Sequence, residues 1–434
     1  MTDRNRPAIQ PWLIPMLYVI GAVVGGVALP RAENAWATDA RLRILELSVS
    51  SAQAYLSAAA SGMMALTGIV FAMGFVMVQF SAIAYSPRLV LWFARDRTLF
   101  HALGAFSATF VFALATLAWV DRGGNGMVPP FSSAVVGILI IVSMIMFSRL
   151  MQRLNDLQIS NVLHLIGDQG RAVIANMFLR LDDHSVGRAR EGPPELHARL
   201  GPPTQMLKHF GKPRTITELD VSLLVNLAQQ ADGTLVMASA VGDTLVEGEE
   251  ILRVHGAQTL LPREALLRAV GLGRERTFEQ DPKYPIRLLV DVAIKALSPA
   301  INDPTTAVQT IDQIEDLLRR LGASELDAGY ASDENGVLRL VFPTPTWEDY
   351  LTLAFDEIRQ FGASSVQVMR RMRAALDGLV RWLPTEDRRQ TVRRYLERLD
   401  RAIETSAFDA EDQRMALEDD RQGIGLSRPK ADMK

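Results

Sequence analysis

From Leu47 to Pro87 the chain carries no charged residue, and three further uncharged apolar runs lie within its first 150 positions. A helix needs about 20 mostly apolar residues to cross a hydrocarbon core about 30 Å thick. The runs 12–29, 61–84, 99–120 and 127–148 meet that length, so a polytopic α-helical membrane domain with four transmembrane helices is predicted over residues 1–148. The first run is followed by Pro30-Arg31-Ala32-Glu33, which lacks the small-residue cleavage pattern of a signal peptide, and it is expected to remain as a span. One helix over the 41 uncharged residues of the second run would extend about 60 Å, twice the hydrocarbon thickness. Residues 39–60 are therefore predicted to form a helical extension outside the bilayer, with Thr38 or Asp39 as its N-cap. Leu42, Leu45, Val49, Ala52, Leu56, Ala59 and Met63 recur along it at alternating steps of three and four. That spacing is the seam of a helix packed on another helix, and a lone protomer would leave it uncovered, so a homo-oligomer is expected.

A second face of this helix carries Ser57, Ser61, Gly68, Ala72 and Gln79, all small or polar. Small residues let backbones approach and a Gln can hydrogen-bond across helices, so close helix packing accounts for the stripe. The alternative is a polar stripe lining a water-filled path, because polar groups at membrane depth often mark permeation routes.

Beyond the spans, the apolar rhythm continues as a helical connector over 149–181, and 182–214 collects Pro, Gly and charge and reads as a linker. Short strands at Thr234–Met237 and Leu245–Val246, set off by Gly242-Asp243, then helices over 286–297 and 304–321, a hairpin strand after Asn335-Gly336 and two or three closing helices predict a cytoplasmic α+β domain over 215–408. The segment Val241–Leu252 looks like half of a lipoyl- or biotinyl-type barrel without the Lys that would carry such a group. Residues 409–434 are expected to be disordered.

Charge then sets the topology. Arg88, Arg95 and Arg97 in the second loop, against Arg122 alone in the third, place both termini in the cytoplasm, while Arg31, Arg41 and Arg43 in the first loop argue the other way. A net charge of −3 excludes a grossly basic nucleic-acid binder. The absence of cysteine removes thiolate chemistry and disulfides, and His101, His164, His184, His197, His209 and His255 have no ligand-pair spacing, so no metal, cofactor or catalytic set is expected. The arginines Arg370, Arg371, Arg373, Arg388, Arg389, Arg393 and Arg394 alternate with acids and read as a solvated face.

The run Arg276-Thr277-Phe278-Glu279-Gln280-Asp281-Pro282, then Leu288–Ala293 and Ser298-Pro299-Ala300-Ile301-Asn302-Asp303-Pro304-Thr305-Thr306-Ala307, resembles the bacterial membrane-protein family labelled domain of unknown function 2254. Val70-Phe71, Gln79, Ser86-Pro87-Arg88 and Ala354–Arg359 are similar to its other motifs. The resemblance implies a protein of the bacterial inner membrane and supplies no activity. Within the motif loop, Ser298, Asn302, Asp303, Thr305 and Thr306 form the richest polar cluster. Asp303 before Pro304 suits an N-cap with Pro at the first helical position, and the oxygens could alternatively hold a ligand. The expected function is a homo-oligomeric channel or conduction-type transporter for an ion or small solute, gated by its cytoplasmic part. The alternative is a non-transporting membrane sensor or scaffold whose cytoplasmic domain binds a partner or small ligand.

Overall fold

The computed structural model describes residues 12–36, 47–84, 97–122, 126–155, 158–178, 200–326 and 329–425. It divides into two compact units at Gln158 and Ile159. The first unit holds α1 (Leu13–Trp36), α2 (Val49–Ala84), α3 (Arg97–Leu117) and α4 (Pro130–Asn155). All four are long and apolar enough to cross a membrane. Helix α1 runs on through Pro30, a residue that membrane helices tolerate because neighbouring groups re-satisfy the freed carbonyl.

Helix α3 is the centre of this unit, and the reason lies in its small residues. Ala102, Gly104, Ala105, Ala108 and Ala113 are buried, and residues of that size let neighbouring backbones come close where lipid offers no hydrophobic drive to associate. A Cβ on Gly104 would lie 2.9 Å from the ring of Tyr18 in α1. Phe112 packs with Ala52, Leu56 and Val136, while Phe106 packs with Val70 and Leu150. The Thr109 and Ser143 hydroxyls share a hydrogen bond of 3.0 Å. At the start of α4, the free first-turn amides of Phe131 and Ser132 donate to the Glu33 carboxylate at 3.2 and 2.7 Å, which suits the positive end of the helix dipole.

The seam of α2 does not lie open. Ala52, Leu56, Ala59, Met63 and Val70 are buried and Val49, Leu66 and Met73 half-buried inside the single protomer, because residues 49–60 run alongside α3 and α4 and Tyr55 donates to the Ser133 carbonyl. The expected uncovered seam is thus corrected. Thr38, Asp39 and positions 42–46 lie outside the described residues, as do the arginines of the second loop at 88 and 95.

The second unit opens with α5 (Ile159–Met177), followed by β1 (Pro203–Lys208), β2 (Arg214–Leu219), α6 (Val221–Gln230), β3 (Thr234–Met237), β4 (Thr244–Leu245), β5 (Glu250–His255), α7 (Arg263–Ala269) and β6 (Val270–Gly273). Then come α8 (Lys283–Ala296), α9 (Pro304–Gly322), β7 (Tyr330–Ser332), β8 (Leu338–Val341), α10 (Trp347–Phe361), α11 (Val366–Trp382), α12 (Glu386–Glu404) and α13 (Ala410–Ala416). One sheet has the order β1-β5-β3-β8-β7 and a smaller one β4-β2-β6. Leu207, Leu235, Leu252, Val254 and Leu340 fill the core between the strands and α6. The helices α8 and α9 form a hairpin on which α5 and α11 pack. Gly170 of α5 lies so close to Leu317 that a Cβ there would stand 2.8 Å from its methyls.

Two boundaries differ from expectation. The supposed linker 182–214 contains β1, because Leu207 reaches the core and the strand pairs with β5, Met206 opposite Arg253; its positions 182–199 lie outside the described residues. Residues 410–425 of the supposed disordered tail are ordered, and 426–434 lie outside the described residues. Asp409 caps α13, and the buried Asp420 accepts from the amides of Gly423 and Gly425 at 2.9 and 2.6 Å. A charge-rich composition alone does not reveal such anchoring. Leu317 sits fully buried between α9 and its neighbours, so Leu317→Ala is expected to cost about 2–5 kcal/mol, read as a lower melting temperature of the detergent-solubilised full chain.

Candidate functional site

The five membrane residues singled out by spacing share one face. At about 100° per residue, Ser57, Ser61, Gly68, Ala72 and Gln79 fall within an arc of roughly 60°, and all five are exposed on the protomer. The arc is therefore not used for packing within the four-helix unit, and a Cβ at Gly68 would meet nothing within 4 Å. Phe75 stands at the edge of this arc and Met64 about 20° beyond it, 63% and 60% exposed, so the face is a row of small and polar positions bordered by two bulky apolar ones.

The motif loop between α8 and α9 is bonded mainly to itself. Asp303 caps α9, accepting from the Thr306 amide at 3.1 Å and the Thr306 hydroxyl at 2.6 Å. Ser298 donates to the Lys295 carbonyl at 2.7 Å. The backbone amides of Asn302 and Asp303 return to the carbonyls of Ser298 and Ala296. Asn302 takes φ of +50°, which Asn tolerates better than most residues. Asn302 and Thr305 are exposed. The cluster is a tight, capped helix–helix turn, and its specific sequence follows from that geometry.

The preceding motif ties the helices to the smaller sheet. The Gln280 side chain donates to the Leu219 carbonyl and accepts from the Leu219 amide, at 3.2 and 2.8 Å, so it extends β2 as a backbone would. Asp281 next to it is buried. It accepts from the Lys283 amide at 3.1 Å and faces Arg276 at 3.4 Å. Burial pushes its carboxyl above the ordinary value, against the pull of Lys283 and Arg276. Gly242 makes room for it, since a Cβ there would all but touch the Asp281 carboxylate, and Gly242 also adopts φ of +92°. Spacing alone pointed to the turn at Gly242 and to the motif, but not to their meeting.

Arg287 joins two further motif segments. It binds Asp291 of its own helix through Nε at 2.7 Å and Glu357 of α10 bidentately at 2.6 and 2.8 Å. The arginines expected on a solvated face are split. Arg370 and Arg371 are buried, Arg371 binding Asp312 and Glu315 at 2.6 Å and Arg370 donating to the Gly425 carbonyl. Arg388 donates to the carbonyls of Gly322 and Ser324. Only Arg393 and Arg394 of the group stand exposed. Amphipathic helices that pack on other charged helices bury one row of guanidinium groups against carboxylates, which alternation of charge cannot distinguish from a wet face.

The chain belongs to the family described as predicted membrane protein, DUF2254, whose profile matches residues 10–378. It is 25% identical over 417 residues to uncharacterized proteins of Mycobacterium bovis and Mycobacterium tuberculosis, covering 94% of this chain and 78% of each relative. No solved structure matches it significantly.

Because the folded chain holds the Asp281 proton more tightly than the unfolded chain does, this group's contribution to stability falls as pH rises from about 4, the ordinary Asp value, through its raised folded value. Asp281→Asn keeps an oxygen for the Lys283 amide and removes that loss. The melting temperature of the variant minus that of the wild type is expected to grow between pH 4 and pH 7. A difference independent of pH contradicts the assignment.

Proposed function

We propose that the protein acts as a homo-oligomer in the bacterial inner membrane, with both termini cytoplasmic, and that copies of α2 meet across its exposed stripe to frame a path for an ion or small solute. The observation that carries this reading is the direction of the stripe. The inside of one protomer is filled by Leu56, Phe106, Phe112, Val136 and Leu150, and its Thr109 and Ser143 hydroxyls satisfy each other. Ser57, Ser61, Gly68, Ala72 and Gln79 instead point out of the unit, where lipid gives small and polar side chains no stabilisation. A path between protomers uses them, and a path within one protomer does not.

Met64 and Phe75 give that path a closed state, since apolar constrictions can block ions by excluding water. The soluble unit, joined in sequence directly after α4, supplies the control. The runner-up is a non-transporting sensor or scaffold in which the same stripe serves packing alone; the apolar Met64 and Phe75 bordering the stripe favour it.

The lack of cysteine makes a direct test clean. Ser61→Cys and Gly68→Cys are expected to give disulfide-linked dimers in oxidised native membranes, and Ile141→Cys, on the exposed face of α4, is not. In reconstituted vesicles, Phe75→Ser is expected to raise ion leak and Gln79→Leu to lower flux. Absence of stripe cross-links removes the assembly. Cross-links with flux unchanged in both variants leave the scaffold reading standing and remove conduction.

A further inference from the structure

A cleft of about 570 Å³ opens on the second unit between α5, α9 and α11. Its apolar wall is Ile174, Ala175 and Phe178, and its polar side is Arg171, Arg319 and Arg320 with Asp316. At its mouth stands Trp382, 53% exposed, with the Arg319 guanidinium 5.6 Å from its ring centre. This is the size of a small-molecule site, with apolar and polar groups sharing its lining about equally.

The guanidinium groups are held in place and not used up. Arg171 binds Asp168 and Asp316 at 2.8 Å. Arg319 spends Nε and Nη2 on Glu315, and Arg320 spends Nε on Asp316. The Nη1 of Arg319 and both Nη atoms of Arg320 make no hydrogen bond among the described residues. Burial works to raise the Asp316 carboxyl, but Arg171 and Arg320 hold it below its ordinary value, so it stays charged and keeps both arginines oriented. Glu315 is in turn shared with the buried Arg371, which fixes Arg319 from behind. A guanidinium fork with unused N–H groups is suited to bidentate recognition of phosphate. An exposed indole beside it offers a stacking surface for a flat ring.

We propose that this cleft binds a ligand of the nucleotide class, with its ring on Trp382 and its phosphate on Arg319 and Arg320. The fold explains why all three groups converge. Arg319 and Arg320 are neighbours on the last turn of α9, Trp382 ends α11, and Arg171 reaches across from α5. None of these elements belongs to the membrane unit, so the site stands whether or not the α2 stripe conducts.

The test uses the detergent-solubilised full chain, with ATP, GTP and AMP as probes by calorimetry and inorganic phosphate as a separate arm. Saturable binding of at least one nucleotide is expected. Arg320→Ala and Trp382→Ala are each expected to weaken it about tenfold, the equivalent of one good contact. Arg320→Lys and Trp382→Phe should recover part of the loss, and melting temperatures should stay close to wild type because both side chains are about half-exposed. No saturable binding of any nucleotide at millimolar concentration overturns the proposal. So does binding that is indifferent to both alanine variants, or binding that inorganic phosphate matches on its own, since the ring would then have no role.

Discussion

Apolar contact does not bring helices together in lipid, because the surrounding chains are as apolar as the side chains they would replace. Everything in the membrane unit depends on how the protein answers that constraint. Its answer is close approach at α3, where alanines and Gly104 let the rings of α1 and the body of α2 lie directly on the backbone. Several polar atoms within that interior are matched locally, although the buried Thr116 hydroxyl finds no partner among the described residues. Thr109 meets Ser143, and Glu33 takes up the amides at the start of α4. Ser57, Ser61 and Gln79 are left on the outer face of α2.

The second unit follows a different rule. Alongside an apolar core that includes Leu317, its helices carry charge on sides that touch one another, where guanidinium groups each serve two carboxylates, Arg287 with Asp291 and Glu357, and Arg371 with Asp312 and Glu315. Truncating one partner of such a pair leaves its mate partly desolvated, so these sites matter more through the harm of breaking them than through net stabilisation. The same rows place Arg319 and Arg320 at the cleft with their geometry already fixed.

Sequence pattern was informative wherever a single element decides the outcome. Four apolar runs became α1 to α4, the Asp303-Pro304 pair became a helix start, and Asn335-Gly336 became the hairpin turn, with Gly336 at φ of +79°. It was uninformative wherever two distant segments decide jointly. Whether the seam or the stripe of α2 faces inward depends on α3 and α4, and the periodicity of α2 holds no trace of that choice. Arg370 and Arg393 look alike in a run of alternating charge, yet one is enclosed by the segment after α13 and the other stands in water. The role of Gly242 is set by Asp281, some forty positions further on.

The parallel pairing of β3 with β8 carries a consequence for biogenesis. Thr234 and its hydrogen-bond partner Leu338 are 104 positions apart, so β3 emerges from the ribosome long before the strand that covers its flank. At about 5–20 residues per second, that interval is roughly 5–20 s. During this time the nascent sheet has an open edge beside a membrane crowded with other chains, and such edges are templates for wrong pairing. The late hairpin thus acts as a closing clasp, and a chain arrested before it would be a target for chaperones and proteases even though every transmembrane segment had already been inserted.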